Sequence, residues 1–152
     1  MNTSALGSTF EISLRILLLL NEVHGTDLDE QQIGADDFIS VYAADFGLLD
    51  ENLHGYSNYR FSEYPARKRL VSSAIKELLL DGNIRFQMAL TGYKYSITEA
   101  GKSICKKLTS NYADEYRIAV QTVIKSFDNA NAELMLREIN RLTIQSLEGG
   151  QA

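Results

Sequence analysis

Between Tyr64 and Leu108 the spacing of the apolar residues changes twice, and this restricts the fold more than any other feature of the chain. Leu70, Val71, Ala74, Ile75, Leu78 and Leu79 recur at helical spacing over Tyr64 to Asp81, which predicts an amphipathic helix with one greasy face. Asp81-Gly82-Asn83 closes it, because glycine accepts the left-handed backbone that ends helices. Ile84, Phe86 and Met88 then alternate with Arg85 and Gln87. Beyond Ala89-Leu90-Thr91-Gly92, Tyr93, Tyr95 and Ile97 alternate with Lys94 and Ser96. Two period-2 runs joined by a short glycine-containing loop predict a β-hairpin. Thr98 is the expected N-cap of a further helix carrying Ile104, Cys105 and Leu108. Helix, hairpin, helix is the second half of a winged helix-turn-helix. The expected fold class is therefore mainly α with a small β-hairpin wing, a winged helix-turn-helix core plus C-terminal helices. Such a shape alone gives no function.

The flanks fit this frame. Ser8-Thr9-Phe10-Glu11 has the spacing of a capping box. The helix that follows, about Thr9 to Val23, is apolar nearly all round from Ile16 to Leu20 and is expected at the centre of the core. His24-Gly25-Thr26-Asp27 breaks it, and Thr26 or Asp27 is the expected cap of a second helix with the stripe Ile33, Phe38, Ile39, Tyr42, Ala43 and Phe46. Asp36-Asp37 is expected on that helix's wet side. Gly47 to Ser62 has no sustained periodicity, which is long for a connection in a compact domain. Tyr112, Tyr116, Ala119, Val120, Val123, Ile124 and Phe127 then form a helical stripe, broken by Asp128–Asn131. A last helix is expected over Ala132 to Leu147, with Met135, Leu136, Ile139 and Leu142 on one side and Leu134 and Ile144 elsewhere. The expected organisation is a single domain over 1–152. It comprises a winged-helix core at 8–110 with an inserted loop at 47–62, a helical extension at 111–147 and a tail at 148–152.

The net charge of −5 conceals an uneven distribution. Residues 1–59 carry −9 with Arg15 their single base, residues 60–107 carry +6 and residues 108–152 carry −2. A basic middle beside an acidic flank implies internal pairing or a two-signed surface. Cys105 is the one cysteine, which leaves no internal disulfide and fits a reducing, cytoplasmic compartment. The apolar run Ile16–Leu20 is too short to span a bilayer, and no basic leader with a cleavage site is seen at the N-terminus.

The exposed face of the Tyr64–Asp81 helix is expected to present Arg69, Ser72, Ser73, Lys76 and Leu80. With Arg85 and Lys94 of the wing, Arg69 and Lys76 form a possible nucleic-acid face. Two bases with no Asn or Gln on that face are a thin basis for reading bases, and an acidic chain opposes binding a polyanion. Nucleic acid is therefore expected only indirectly or weakly. Arg67 shares the heading of Val71, Ala74 and Leu78, so it points inward and needs a carboxylate, Asp45 being the first candidate. Tyr56, Tyr59, Arg60 and Phe61 bring aromatic and Arg side chains, the types that centre protein interfaces, to the inserted loop. With Arg67 they are the candidate partner-contact residues, although loops are also packed by such side chains. Asp45-Phe46-Gly47 copies a kinase triplet without a kinase context. Neither His24 nor His54 has a ligand partner at zinc spacing. No nucleophile or phosphate-loop motif occurs. No catalytic residue, cofactor or metal is assigned, and the chain is read as a non-enzyme.

Several short motifs, in order, resemble a known family. They are Phe10-Glu11-Ile12-Ser13-Leu14-Arg15 with its leucine run, Asp45-Phe46-Gly47, Asn52-Leu53-His54, Tyr59-Arg60, Glu63, Arg67-Lys68-Arg69, Gly92-Tyr93-Lys94-Tyr95 and Thr98-Glu99-Ala100. Together, over roughly residues 8 to 124, the chain resembles the middle component of bacterial ABC-three-component systems, of which Lamassu-type systems are an example. The Ala132–Leu147 helix lies outside the resemblance. The resemblance implies a winged-helix adaptor without catalysis of its own, encoded between an SMC- or Rad50-like ATPase and an effector in anti-phage or anti-plasmid defence. Those two subunits are the implied partners. The C-terminal amphipathic stripes add a possible homodimer contact. The alternative is a winged-helix DNA-binding transcriptional regulator.

Overall fold

A computed structural model describes residues 8–23, 25–127 and 132–149. His24, the Asp128–Asn131 break and residues 150–152 lie outside the described residues, as do residues 1–7. The described residues are mainly helical, with one two-stranded antiparallel sheet among them.

Helix α1 (Thr9–Glu22) opens on the expected box: Ser8 Oγ accepts from the Glu11 amide, and Glu11 Oε1 accepts from the Ser8 amide, both at 3.1 Å. Its apolar run makes it the central helix, packed by α2 (Glu30–Val41), α3 (Tyr64–Leu80), α4 (Glu99–Lys107) and α5 (Asn111–Phe127). The cap of α2 is Asp29, not Thr26 or Asp27. Asp29 Oδ1 accepts from the Gln32 amide at 2.8 Å, and Gln32 Oε1 accepts in return from the Asp29 amide at 2.9 Å. The start is displaced because Leu28 is held in a β-bridge to Tyr95, and helical backbone begins only after it.

Helix α3 ends as its sequence dictates: the Asn83 amide reaches back to the Leu78 carbonyl and Gly82 takes φ +76°, a left-handed closure. Strands β1 (Ile84–Ala89) and β2 (Gly92–Ile97) pair from Ile84↔Ile97 to Ala89↔Gly92 around Leu90-Thr91. The Thr98 hydroxyl caps α4 by accepting from the Gly101 amide, and it donates to the Gly82 carbonyl at 2.8 Å. Both feet of the hairpin are thereby tied to one side chain.

Leu108–Ser110 separates α4 from α5. The stripe of α5 is spent inside the chain: Tyr116, Ala119, Val120 and Val123 are buried against α1 and α2. Helix α6 (Ala132–Gly149) packs on α2 and buries Ala132, Met135 and Ile139, while Leu134 and Ile144, off that stripe, are exposed. Helix α6 includes Glu148 and Gly149, the first two residues of the expected tail. With α1, α3, α5 and α6 all packed on it, α2 has little wet side. Asp36 and Asp37 are both buried, contrary to the amphipathic reading.

Gly101 is the most closely packed of the described glycines, since an added Cβ would run into the Asn83 carbonyl and the Ile97 side chain. Gly101→Ala is expected to destabilise the protein by about 1–3 kcal/mol, despite alanine's better helix propensity. Urea unfolding of the two chains measures this.

Candidate interaction surfaces and the ion cluster beneath them

Arg15 and Asp37 meet in the core as a forked pair. Nε donates to Oδ1 at 2.8 Å and Nη2 to Oδ2 at 2.9 Å, the bidentate geometry that best repays desolvation. Tyr116 Oη donates a third bond to Asp37 at 2.7 Å. Burial alone would raise the Asp37 carboxyl, but Arg15, Arg67 and Tyr116 hold it down to about 2. Asp37 raises the Arg15 guanidinium in turn, against the pull of burial. Arg67 is only 2% exposed, as its heading predicts. Its carboxylates are Asp37, 3.7 Å from Nη1, and Glu63, 3.5 Å from Nη2, rather than the expected Asp45. Nε and Nη1 make no hydrogen bond and lie beside the Phe38 and Tyr42 rings, whose faces are 5.8 and 5.6 Å from the guanidinium carbon. Ring faces attract a desolvated cation.

His54 carries the cluster into the inserted loop. Arg67 Nη2 lies 3.3 Å from His54 Nδ1, and Tyr112 Oη lies 2.6 Å from Nε2. A guanidinium has no lone pair to offer, so Nδ1 accepts and Nε2–H donates to Tyr112. Burial first, then Arg15 and Arg67, lower the imidazole to about 4, which keeps it neutral.

The inserted loop is rigidly self-bonded. Asn52 Oδ1 accepts from the Ala44 and Asp45 amides, and Nδ2 donates to Asp45 Oδ2 and the Gly55 carbonyl. Asp45 holds Arg60 in a second fork, at 2.7 and 2.9 Å. Tyr56 Oη donates to Glu51 and accepts from the Asn52 amide. The five predicted contact residues therefore separate. Tyr56 and Tyr59 are exposed and Arg60 is half-buried, whereas Phe61 and Arg67 are buried. Asp45, Asn58, Tyr59, Arg60 and Phe61 form one wall of an open groove of about 870 Å³. The end of α6 forms the other, with Leu142 and Leu147 its apolar residues.

Arg69 and Lys76 are exposed on α3, Arg85 is exposed on the wing and Lys94 is half-exposed. Among the described residues none of these four has a carboxylate within ion-pair distance. The alternation that predicted the hairpin also hid a feature. Phe86, Met88 and Tyr93 share the face of Ile84 and Ile97 but lie beyond the core and are exposed, with Leu90 wholly in solvent at the turn. Among the described residues no cluster of three or more His, Cys, Asp or Glu is placed to hold a metal, and no helix is long and apolar enough to cross a membrane.

A small helical scaffold with two-signed, partly apolar surfaces over a fixed ionic core suits a subunit of a larger assembly. The chain belongs to the ABC-three component (ABC-3C) system Middle Component 2 family, whose model matches residues 5–149. The match includes α6, which lies outside the stretch where the motifs resemble the family. No curated protein and no solved structure matches the chain.

Two substitutions test the cluster. Asp37→Asn leaves the buried Arg15 guanidinium without its carboxylate and Arg67 with Glu63 alone, and is expected to cost about 3–5 kcal/mol in chemical denaturation. Asp36 behaves oppositely: burial, then neighbouring Asp37, lifts its carboxyl from 3.8 to about 7. Below 3.8 it is protonated in both states. As pH rises to about 7 the unfolded chain releases the proton that the folded chain retains, so stability is lost across that window. Asp36→Asn should therefore gain over the parent near pH ~8 relative to pH ~4, at about 1.4 kcal/mol per pH unit of the window. Denaturation at the two pH values checks this.

Proposed function

We propose that this chain is the non-catalytic adaptor of its ABC-3C system. In this reading it works as one unit in the cytoplasm, linking an SMC-like ATPase to an effector in defence against phage or plasmids. Membership of the Middle Component 2 family supports a component role. The observation that carries the adaptor reading is the groove between the self-bonded loop and the end of α6. Its exposed Tyr59 and Leu147 flank an Arg60 already fixed by Asp45. A pre-ordered aromatic and Arg wall loses little entropy when a partner docks. The apolar stripes of α5 and α6 are largely consumed within the chain, so a homodimer through them is the weaker proposal.

One observation favours a second reading, a DNA-binding regulator: Arg69, Lys76, Arg85 and Lys94 reach solvent without acidic partners among the described residues. A phosphate-contacting face would give duplex affinity that falls steeply with salt and is abolished by Arg69→Glu with Lys76→Glu.

The adaptor reading predicts that the tagged chain, expressed with the other two components of its operon, captures both. Tyr59→Ala with Leu147→Asp should weaken capture of one of them by about tenfold or more, with the thermal midpoint unchanged. A wild-type chain that captures neither component overturns the reading.

A further inference from the structure

The wing offers a second and chemically distinct surface. Strand β1 pairs with β2 alone, and β2's other edge is met at Tyr95 by Leu28. Among the described residues nothing pairs with the outer edge of β1, so that edge presents unpaired backbone groups over Ile84–Ala89. Natural sheets usually blunt such an edge with proline, a bulge, a cover or charged side chains, and of these β1 has the single charge of Arg85. Here the strand is regular and proline-free, and beside it lie exposed Phe86, Met88 and Leu90. Tyr93 stands edge-to-face on Phe86 at 5.3 Å, so the apolar patch is already ordered.

The two faces of the hairpin differ in chemistry. One carries Phe86, Met88 and Tyr93; the other carries Arg85, Gln87 and Lys94. Among the described residues Arg85 donates only to Ser96 Oγ, at 3.3 Å, and neither base has a carboxylate within ion-pair distance. A strand added to β1 would place its alternate residues over these two faces.

We infer that the free edge of β1 takes up an extended segment of another protein chain in which apolar and acidic residues alternate. The apolar residues cover Phe86 and Met88, and the acidic ones face Arg85. Backbone pairing supplies affinity and the two faces supply specificity. A second copy of this chain is the poorer occupant. Any register that keeps both apolar faces together puts both Arg85 side chains on the opposite face, where β1 has no acid to meet them. The inference rests on the adaptor reading, since the segment belongs to another component of the same system.

The test uses the full chain expressed with the other two components of its operon. A photo-crosslinking residue in place of Met88 should join one stretch of one component, with apolar and acidic residues alternating. Arg85→Glu and Met88→Glu, at exposed positions, should each lower capture of that component by about tenfold or more, with circular dichroism and thermal unfolding unchanged. Replacing the acidic residues of the crosslinked stretch by Lys should restore capture by the Arg85→Glu chain. Crosslinks to a helix, to nucleic acid or to a second copy overturn the inference, as does capture unchanged in both variants. If unaltered chain captures nothing, the adaptor reading falls and this inference with it. If only the wing variants behave like the parent, this inference falls alone.

Discussion

Asp37 is the point on which the packing depends. It sits on α2, accepts a fork from Arg15 on α1, takes a hydroxyl from Tyr116 on α5 and faces Arg67 on α3. Four helices thus share one carboxylate. Ion pairs of this kind are poor sources of net stability, because desolvation consumes most of the attraction. Their effect is to fix geometry: an apolar contact between two helices tolerates sliding by a fraction of a turn, whereas a bidentate fork does not. The inserted loop inherits that registration. His54 links Arg67 to Tyr112, Tyr42 donates to Glu63, and Asn52 and Asp45 fold the remainder around Arg60.

How much of this the sequence discloses depends on the range of the interaction. The α3–hairpin–α4 unit is legible because each part is local: a helical stripe, a glycine closure, two alternations and a threonine cap. The capping box of α1 is legible for the same reason. The Asp29 cap is not, because Leu28's single bridge to Tyr95, distant in sequence, decides where α2 begins. The inward heading of Arg67 can be read from its neighbours, but its partners cannot. Asp45 is the first candidate in the expectation, yet Asp45 is consumed by Arg60 and Arg67 turns to Asp37 and Glu63. A clue to Asp37 was present. Arg15 is the single base among the first 59 residues and stands in an apolar helix, a place where a cation survives only beside a buried acid.

The surfaces divide in the same way. Periodicity shows which residues share a face but not where the core stops beneath it. Ile84 and Met88 are equivalent in the alternation of β1, yet one is buried and the other exposed because the hairpin overhangs the body of the protein. Likewise the aromatic loop held side chains of both kinds: Phe61 closes the core against Phe38 and Phe46, while Tyr59 stays outside. Family membership through residue 149 agrees with α6 forming half of the groove against that loop.

Thr98 has a mechanical consequence. Its one hydroxyl engages the strand-side carbonyl of Gly82 and the first turn of α4, while the flush seat of Gly101 leaves no slack behind it. The wing is therefore a cantilever with a clamped root. Both ends of the hairpin are thus anchored beside the first turn of α4, so the strands leave the body of the protein at a set angle and the overhanging tip at Leu90 is held away from the core.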